Sequence, residues 1–545
     1  MISSDDAERG PVSFGGITPQ PLFAVAAVVL GSIFTNYDTR LIGYGLPDLR
    51  GAFSLSFDEG TWLYTASVGS QIFVAPAVVW LVTTFGLRRI LAVPSMLFAV
   101  VSYAIPLARN YETLMVLSII YGMLLGTFVP ATFMIIFRHL PTKWWLWAIA
   151  LYAVRVGLTQ DVGQAAAGLF AADLGWQWFY WQGVVIAPVM ALLVYLGTPP
   201  CLINRDLLHK ADWAGMVLFG ASLSMFYAGL DQGNRLDWLG SGIVVGLLAG
   251  GGALFIAFLV NEIYVSDPWA NINVLFKRNI GLGLATALFY TLTSLSNSVL
   301  VPGFLGTVTL LRPEQYGSLA LVYGALPILM LTPLSIVILR HFDARWVAAL
   351  GLSAFAAAGL LGMQLTHDWA PVDFRAIVLL LSVGQVFTLT PTILTLVANS
   401  DSSRATAFSA YIQVIRVVGA EVGVAMMTTW LRIREQIHSN YLGLHVADGS
   451  SEVGHRLTAL AGQLSDRGAD AASARAVRVF SGQVAREANV LAFIDGFSLC
   501  FWLAIAGLFC ICWITRATPG PFTPAPFGFA KALLRRCGVT LKTHV

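Results

Sequence analysis

Six ionisable side chains fall inside long apolar stretches of this sequence: Asp38, Arg40, Arg155, Asp161, Arg416 and Glu421. One such group at the centre of a bilayer costs about 2.5 to 3.5 kcal/mol on insertion scales, so each must face a partner or a wet cavity. These six are the candidate working residues. The other basic side chains among the 32 fall in loops, tails or span ends, and all eight histidines lie outside the apolar stretches. A proton carried through must therefore ride on a carboxylate, with Asp38 the first candidate and Asp161 and Glu421 the next. The alternative for Asp38 is a permanently ionised structural partner of Arg155.

Helical geometry restricts how the six can pair. Asp38 and Arg40 are two residues apart, Arg155 and Asp161 six, and Arg416 and Glu421 five, and none of these spacings puts both groups on one face. The pairs must form between helices. Arg40 and Asp161 reach similar depths, so an ion pair between the first and fifth spans is expected. Three arginines against three acids sum to zero, which does not favour lipophilic cations as ligands. Arg40 and Arg155 suit an anionic aromatic acid or a phenol instead.

The elements that position these residues follow from composition. With 57% hydrophobic and 11% charged residues and a mean hydropathy of +0.74, the 545-residue chain is an integral membrane protein. Continuous apolar runs select helices over a barrel, so the fold class is all-α. Fourteen spans are expected, at 22 to 46, 60 to 83, 89 to 108, 112 to 137, 144 to 171, 176 to 197, 213 to 231, 239 to 261, 279 to 309, 315 to 339, 346 to 366, 375 to 398, 405 to 431 and 491 to 515. Pro76, Phe85 and Arg88 recur 257 positions on as Pro333, Phe342 and Arg345, and Ala148 and Ala150 recur as Ala405 and Ala407. The reading is therefore two homologous six-helix halves, 22–197 and 279–515, separated by two inserted central helices in 213–261.

The short loops carry Lys and Arg mainly on one side, which places both tails, 1–21 and 516–545, in the cytoplasm. Residues 432–490 form an exterior insert with seven arginines, three histidines and an Ala-rich helical stretch near 469–488. A partner dock and a plain connector both suit it. The first 21 residues have no signal-peptide pattern. The five cysteines have no metal spacing, and no Gly-x-x-x-x-Gly-Lys loop exists. No cofactor, metal, nucleic-acid partner or enzymatic centre is expected, and proton coupling is the available energy source.

Two six-helix halves in parallel repeat with a basic loop after the second helix of each resemble the major facilitator superfamily. The extra central pair narrows the resemblance to its fourteen-helix EmrB/QacA-type drug:proton antiporters. Asp38, Thr39, Leu46 and Pro47 match that family's first helix, Gly60 to Trp62 and Pro76 its second, Arg416, Gly419 and Gly423 its penultimate, and Asp495 to Phe497 the start of its last. The switch loop keeps Phe85, Gly86 and Arg89 beside Arg88, with Arg345 in the second half, but Thr83 stands where an acid is usual. Ser118, Tyr121 and Gly122 replace the fourth-helix arginine motif, for which Arg155 is a substitute. The fifth-helix antiporter motif reads Gly163, Gln164, Ala167 and Gly168, without its proline.

The resemblance implies a multi-pass inner-membrane exporter of small amphipathic or aromatic compounds, proton-coupled and working by alternating access. It also implies a periplasmic adaptor and an outer-membrane channel where the cell has an outer membrane. Import or dedicated export of a metabolite such as an aromatic acid or siderophore stays open, as does a non-transporting scaffold or sensor.

Overall fold

The computed structural model describes residues 21–130, 145–198, 203–209, 211–265, 278–399, 405–446, 450–463 and 469–514. Among them there is no strand. The first half contains α1 (Pro21–Ala52), α2 (Phe57–Val74), α3 (Val78–Phe85), α4 (Leu87–Ala104), α5 (Tyr111–Leu125), α6 (Trp145–Leu169) and α7 (Trp178–Gly197). Next come α8 (Trp213–Gly233) and α9 (Gly242–Tyr264). The second half contains α10 (Arg278–Thr293), α11 (Val301–Thr307), α12 (Pro313–Leu319), α13 (Leu326–His341), α14 (Ala344–Gly362), α15 (Arg375–Ala398), α16 (Ala405–Leu444), α17 (Ser451–Gln463) and α18 (Ala469–Trp513). Among the described residues nine helices or joined helix runs are long and apolar enough to cross a membrane, or ten with the bent α2–α3 pair.

Local chemistry sets the helix ends. A capping box opens α2: the Glu59 amide donates to Ser56 Oγ at 3.2 Å and the Ser56 amide donates to Glu59 Oε2 at 2.8 Å. Asp212 caps α8, accepting from the Gly215 amide at 2.8 Å, and also accepts from Asn261 of α9 at 2.8 Å, which ties the inserted helices together.

Several boundaries differ from the sequence reading for identifiable reasons. The span expected over 60–83 is two helices bent by 50° around Pro76, whose missing N–H and ring interrupt the helix. Its repeat partner Pro333 lies inside α13. Helix α1 continues past 46 through Pro47 to Ala52. The 40 residues of α16 span roughly 60 Å, about twice a hydrocarbon core. With the 45-residue α18, this helix carries the region read as an exterior insert away from the bundle.

The two halves meet along two seams. On one, α6 packs against α12, the π-helical turn Ala320–Ala325, α13 and α15. On the other, α8 packs against both α2 and α16. Buried residues of α6, among them Ile149, Tyr152 and Ala153, join the apolar core of the second half.

Candidate functional site

A cavity of about 210 Å³ lies between the halves. The first half supplies Asn36, Thr39 and Arg40 from α1, Tyr64 and Gln71 from α2, and Tyr152, Thr159 and Gln160 from α6. The second supplies Tyr290 and Thr291 from α10, Gln385 from α15, and Glu421 from α16; Tyr227 comes from the inserted α8. The walls alternate aromatic faces with amide and hydroxyl groups, and Arg40 and Glu421 stand as opposite charges contributed by opposite halves. That lining suits an amphipathic molecule: apolar surface to bury, and a few polar groups to fix its orientation.

Asp38 is fully buried in the first half, away from this cavity. It accepts from the Tyr121 hydroxyl at 2.7 Å and from Gln182 Nε2 at 3.4 Å. Neither partner is a cation, so the Asp38–Arg155 pairing considered from the sequence is not the arrangement found. Arg155, also fully buried, donates from Nε to the Tyr152 carbonyl at 3.1 Å and from Nη1 to the Ser32 carbonyl at 3.4 Å. Its guanidinium lies 4.0 Å from the Tyr152 ring centroid. Backbone dipoles and a π face, rather than a carboxylate, compensate this charge.

Asp161 is fully buried on the first seam, with its carboxylate packed against Gly324 of the second half. Arg40 and Asp161 both lie within electrostatic reach of the Tyr44 hydroxyl. The side chain of Arg416 lies outside the described residues. In the fifth-helix motif, Gly163 admits the Arg40 side chain and the α1 backbone, Gly168 lies against the backbone of Glu314, and Gln164 lies close to the Tyr316 hydroxyl. In the basic loops, Gly86 has φ 87°, a conformation that favours glycine. Arg88 covers the Tyr195 ring at 3.3 Å, while Arg89 is exposed. Arg345 pairs with Asp343 at 2.9 Å and donates to the Ile514 carbonyl at 3.1 Å. Among the described residues no cluster of His, Cys, Asp or Glu is placed to hold a metal.

Sequence reasoning missed Asp231, Gln182 and the four cavity tyrosines. Asp231 is the last residue of the span expected at 213–231, and it accepts from the Thr65 hydroxyl and from Gln232 Nε2. It lies within electrostatic reach of Glu421. Its place at a span end hid it. Tyrosines in apolar runs look like interfacial or packing residues until their partners are known.

A profile of the Major Facilitator Superfamily matches residues 28–424. The chain is 24% identical over 544 residues to the multidrug export protein EmrB of Haemophilus influenzae, covering 96% of this chain and 99% of that one. It is 22% identical over 436 residues to the fatty acid resistance protein FarB of Neisseria gonorrhoeae, covering 76% and 81%. Among solved structures, an auto-inhibited POT family peptide transporter superposes with a TM-score of 0.54 at 13% identity, over 93% of this chain and 99% of that one. A D-xylose-proton symporter superposes with a TM-score of 0.51 at 14% identity, over 91% and 98%. The profile match over residues 28–424 establishes that this multi-pass membrane chain belongs to the major facilitator superfamily, and the solved structures share its fold.

Proposed function

We propose that this protein exports small amphipathic or aromatic compounds against a gradient, driven by proton entry, with the two halves rocking about the central cavity. The observation that carries the reading is the cavity, in which Arg40 and Glu421 face a common space from opposite halves. Relatives named for multidrug export and fatty acid resistance support the direction and the amphipathic class. The energetics suffice: one charge falling through 100 mV yields about 2.3 kcal/mol, and tenfold accumulation costs about 1.4 kcal/mol.

In this reading Asp38 carries the proton, because a buried carboxyl held only by neutral donors exchanges a proton without breaking an ion pair. Asp161 and Glu421 are the alternative carriers. Glu421 and Arg40 contact substrate, and Arg155 organises α6 beneath Tyr152. The loops at Gly86, Arg88, Arg89 and Arg345 act as the conformational switch, and Gly163, Gln164 and Gly168 let α6 slide along its seam. The chain lies in the inner membrane with both termini cytoplasmic. The projection formed by α16 to α18 then points outward, and Ile433, Ile437, Tyr441 and Leu444 form an exposed apolar stripe on it at helical spacing. That stripe is the proposed dock for a periplasmic adaptor leading to an outer-membrane channel.

The test is reconstitution in liposomes with an internal pH dye, an imposed pH gradient, and a panel of lipophilic cations, aromatic acids and fatty acids. Compound-dependent proton flux that Asp38→Asn abolishes is the expected result. Flux that survives Asp38→Asn moves the carrier to Asp161 or Glu421, and no flux with any compound removes the transport reading.

A further inference from the structure

The inserted helix pair is asymmetric in a way its sequence does not show. Both helices are apolar, yet α9 buries only Val244, Gly251 and Phe258, whereas α8 buries Met216, Phe219, Leu223 and Tyr227 and reaches the cavity. Helix α8 is bound closely to α2. A methyl group on Gly220 would run into the Phe73 carbonyl, and Ser224 donates to the Gly69 carbonyl at 2.8 Å. Near the end of α8, Asp231 and Gln232 both bond Thr65 of α2. Helix α8 also packs against α16, and hydrogen bonds beyond the helix end add to that contact. Trp238 Nε1 donates to Thr429 at 3.1 Å, and Arg432 donates to the Asn234 carbonyl at 3.3 Å.

Helix α8 therefore fills the seam between α2 and α16 as part of the first half. Tyr227 is its cavity-lining residue, with Tyr64 and Glu421 on the walls to either side. Tyr227 is 3% exposed, packed with Val68, Ile72, Phe219 and Leu223, and brings an aromatic ring with one hydroxyl to that wall.

We propose that Tyr227 is a substrate-contacting residue that sets specificity, and that α8 is a third wall of the binding cavity rather than a lipid-side addition. The ligand class is an aromatic compound bearing a polar group, its ring against Tyr64 and Tyr227 and its polar group toward Glu421 and Arg40. This rests on the cavity being the transport site.

Two measurements test the proposal separately from transport itself. In a full-length variant with its five cysteines changed to serine, Tyr227→Cys and the lipid-facing Val217→Cys are reconstituted and treated with N-ethylmaleimide. The reagent reacts with the thiolate, which needs water. Labelling of Tyr227→Cys roughly tenfold faster than Val217→Cys is expected, and equal or slower labelling overturns the third wall. Then ethidium and salicylate transport is compared between wild type and Tyr227→Phe, which keeps the ring and guards against misfolding, and Tyr227→Ala. The expected result is a change of about fivefold or more in the ratio of the two KM values for Tyr227→Ala, corresponding to about 1 kcal/mol of selective contact. KM values that stay unchanged in both variants overturn the specificity role. If wild type transports neither probe, the export reading fails for these compounds, while the labelling result still decides the position of α8.

Discussion

The Tyr121 hydroxyl donates to Asp38 Oδ2 across 2.7 Å, joining α5 to α1 in a fully buried site where, among the described residues, Gln182 is the only other side chain that hydrogen-bonds the carboxyl. A hydrogen bond to a charged acceptor contributes about 1.5 to 3 kcal/mol. Removing it in Tyr121→Phe is expected to lower proton-driven kcat by roughly 10- to 100-fold, at about 1.4 kcal/mol per tenfold. Asp38→Asn is expected to abolish proton-driven transport. Pyranine-monitored flux checks both, and an unchanged kcat in Tyr121→Phe would separate this bond from coupling.

Tyr64 lines the main cavity and also a small void of about 10 Å³ that Tyr121, Tyr180, Ser67 and Ser118 share. Such a space is about the size needed for one water; Ile42, Leu46, Leu49 and Leu63 complete its largely apolar lining, and its few hydroxyls lie between Asp38's partner Tyr121 and the cavity. Tyr64→Phe is expected to slow proton-coupled turnover roughly fivefold, the equivalent of one ordinary hydrogen bond. The KM for substrate stays near wild type. A KM change without a kcat change would assign Tyr64 to substrate binding alone.

The seam along α6 depends on absent side chains. A methyl group on Gly157 would meet the Gln385 amide and Ile328 Cδ1, and one on Gly324 would meet the Asp161 carboxylate. Overpacking of this kind costs about 1 to 3 kcal/mol. Gly157→Val and Gly324→Ala are therefore expected to lower kcat by roughly 5- to 100-fold while KM changes little. Steady-state transport in liposomes separates these effects.

Among the described residues Arg155 has no acidic partner to replace, so its energetics lie in its geometry. Arg155→Lys retains the charge but loses the fork that reaches the Tyr152 and Ser32 carbonyls and the planar contact with the Tyr152 ring. The expected loss is several kcal/mol, read as a lower melting temperature in detergent. Arg155→Met, which removes the buried charge itself, is expected to destabilise less than Arg155→Lys.

At the end of α8, the Arg235–Asp58 pair is solvent-accessible, with Asp58 72% exposed. Asp58→Asn is accordingly expected to change stability by less than about 1 kcal/mol. Gln232→Ala instead removes the fully buried amide that bonds Thr65, Asp231 and Arg235, for an expected loss of about 1 to 3 kcal/mol. Thermal unfolding of the two variants in the same detergent provides the comparison.

Composition and residue patterning are enough for the solvent, the helical class and the family. Apolar runs of spanning length, polar punctuation repeated 257 positions apart and charged residues placed mostly in the connections leave no other arrangement that satisfies the backbone in lipid. The same patterning also selected Asp38, Arg40 and Glu421, because a charge in an apolar run has to be accounted for. Which side chains meet was decided only by the tertiary structure. Each residue turns a helix by about 100°, so an uncertainty of two or three residues at a span edge leaves the facing direction undetermined. Thus Asp38 meets Tyr121 and Gln182 rather than Arg155, and Arg40 shares a cavity with Glu421 from the opposite half. Tyr227 lines that cavity because α8 occupies the seam between α2 and α16, a packing choice between two equally apolar inserted helices that their composition does not distinguish.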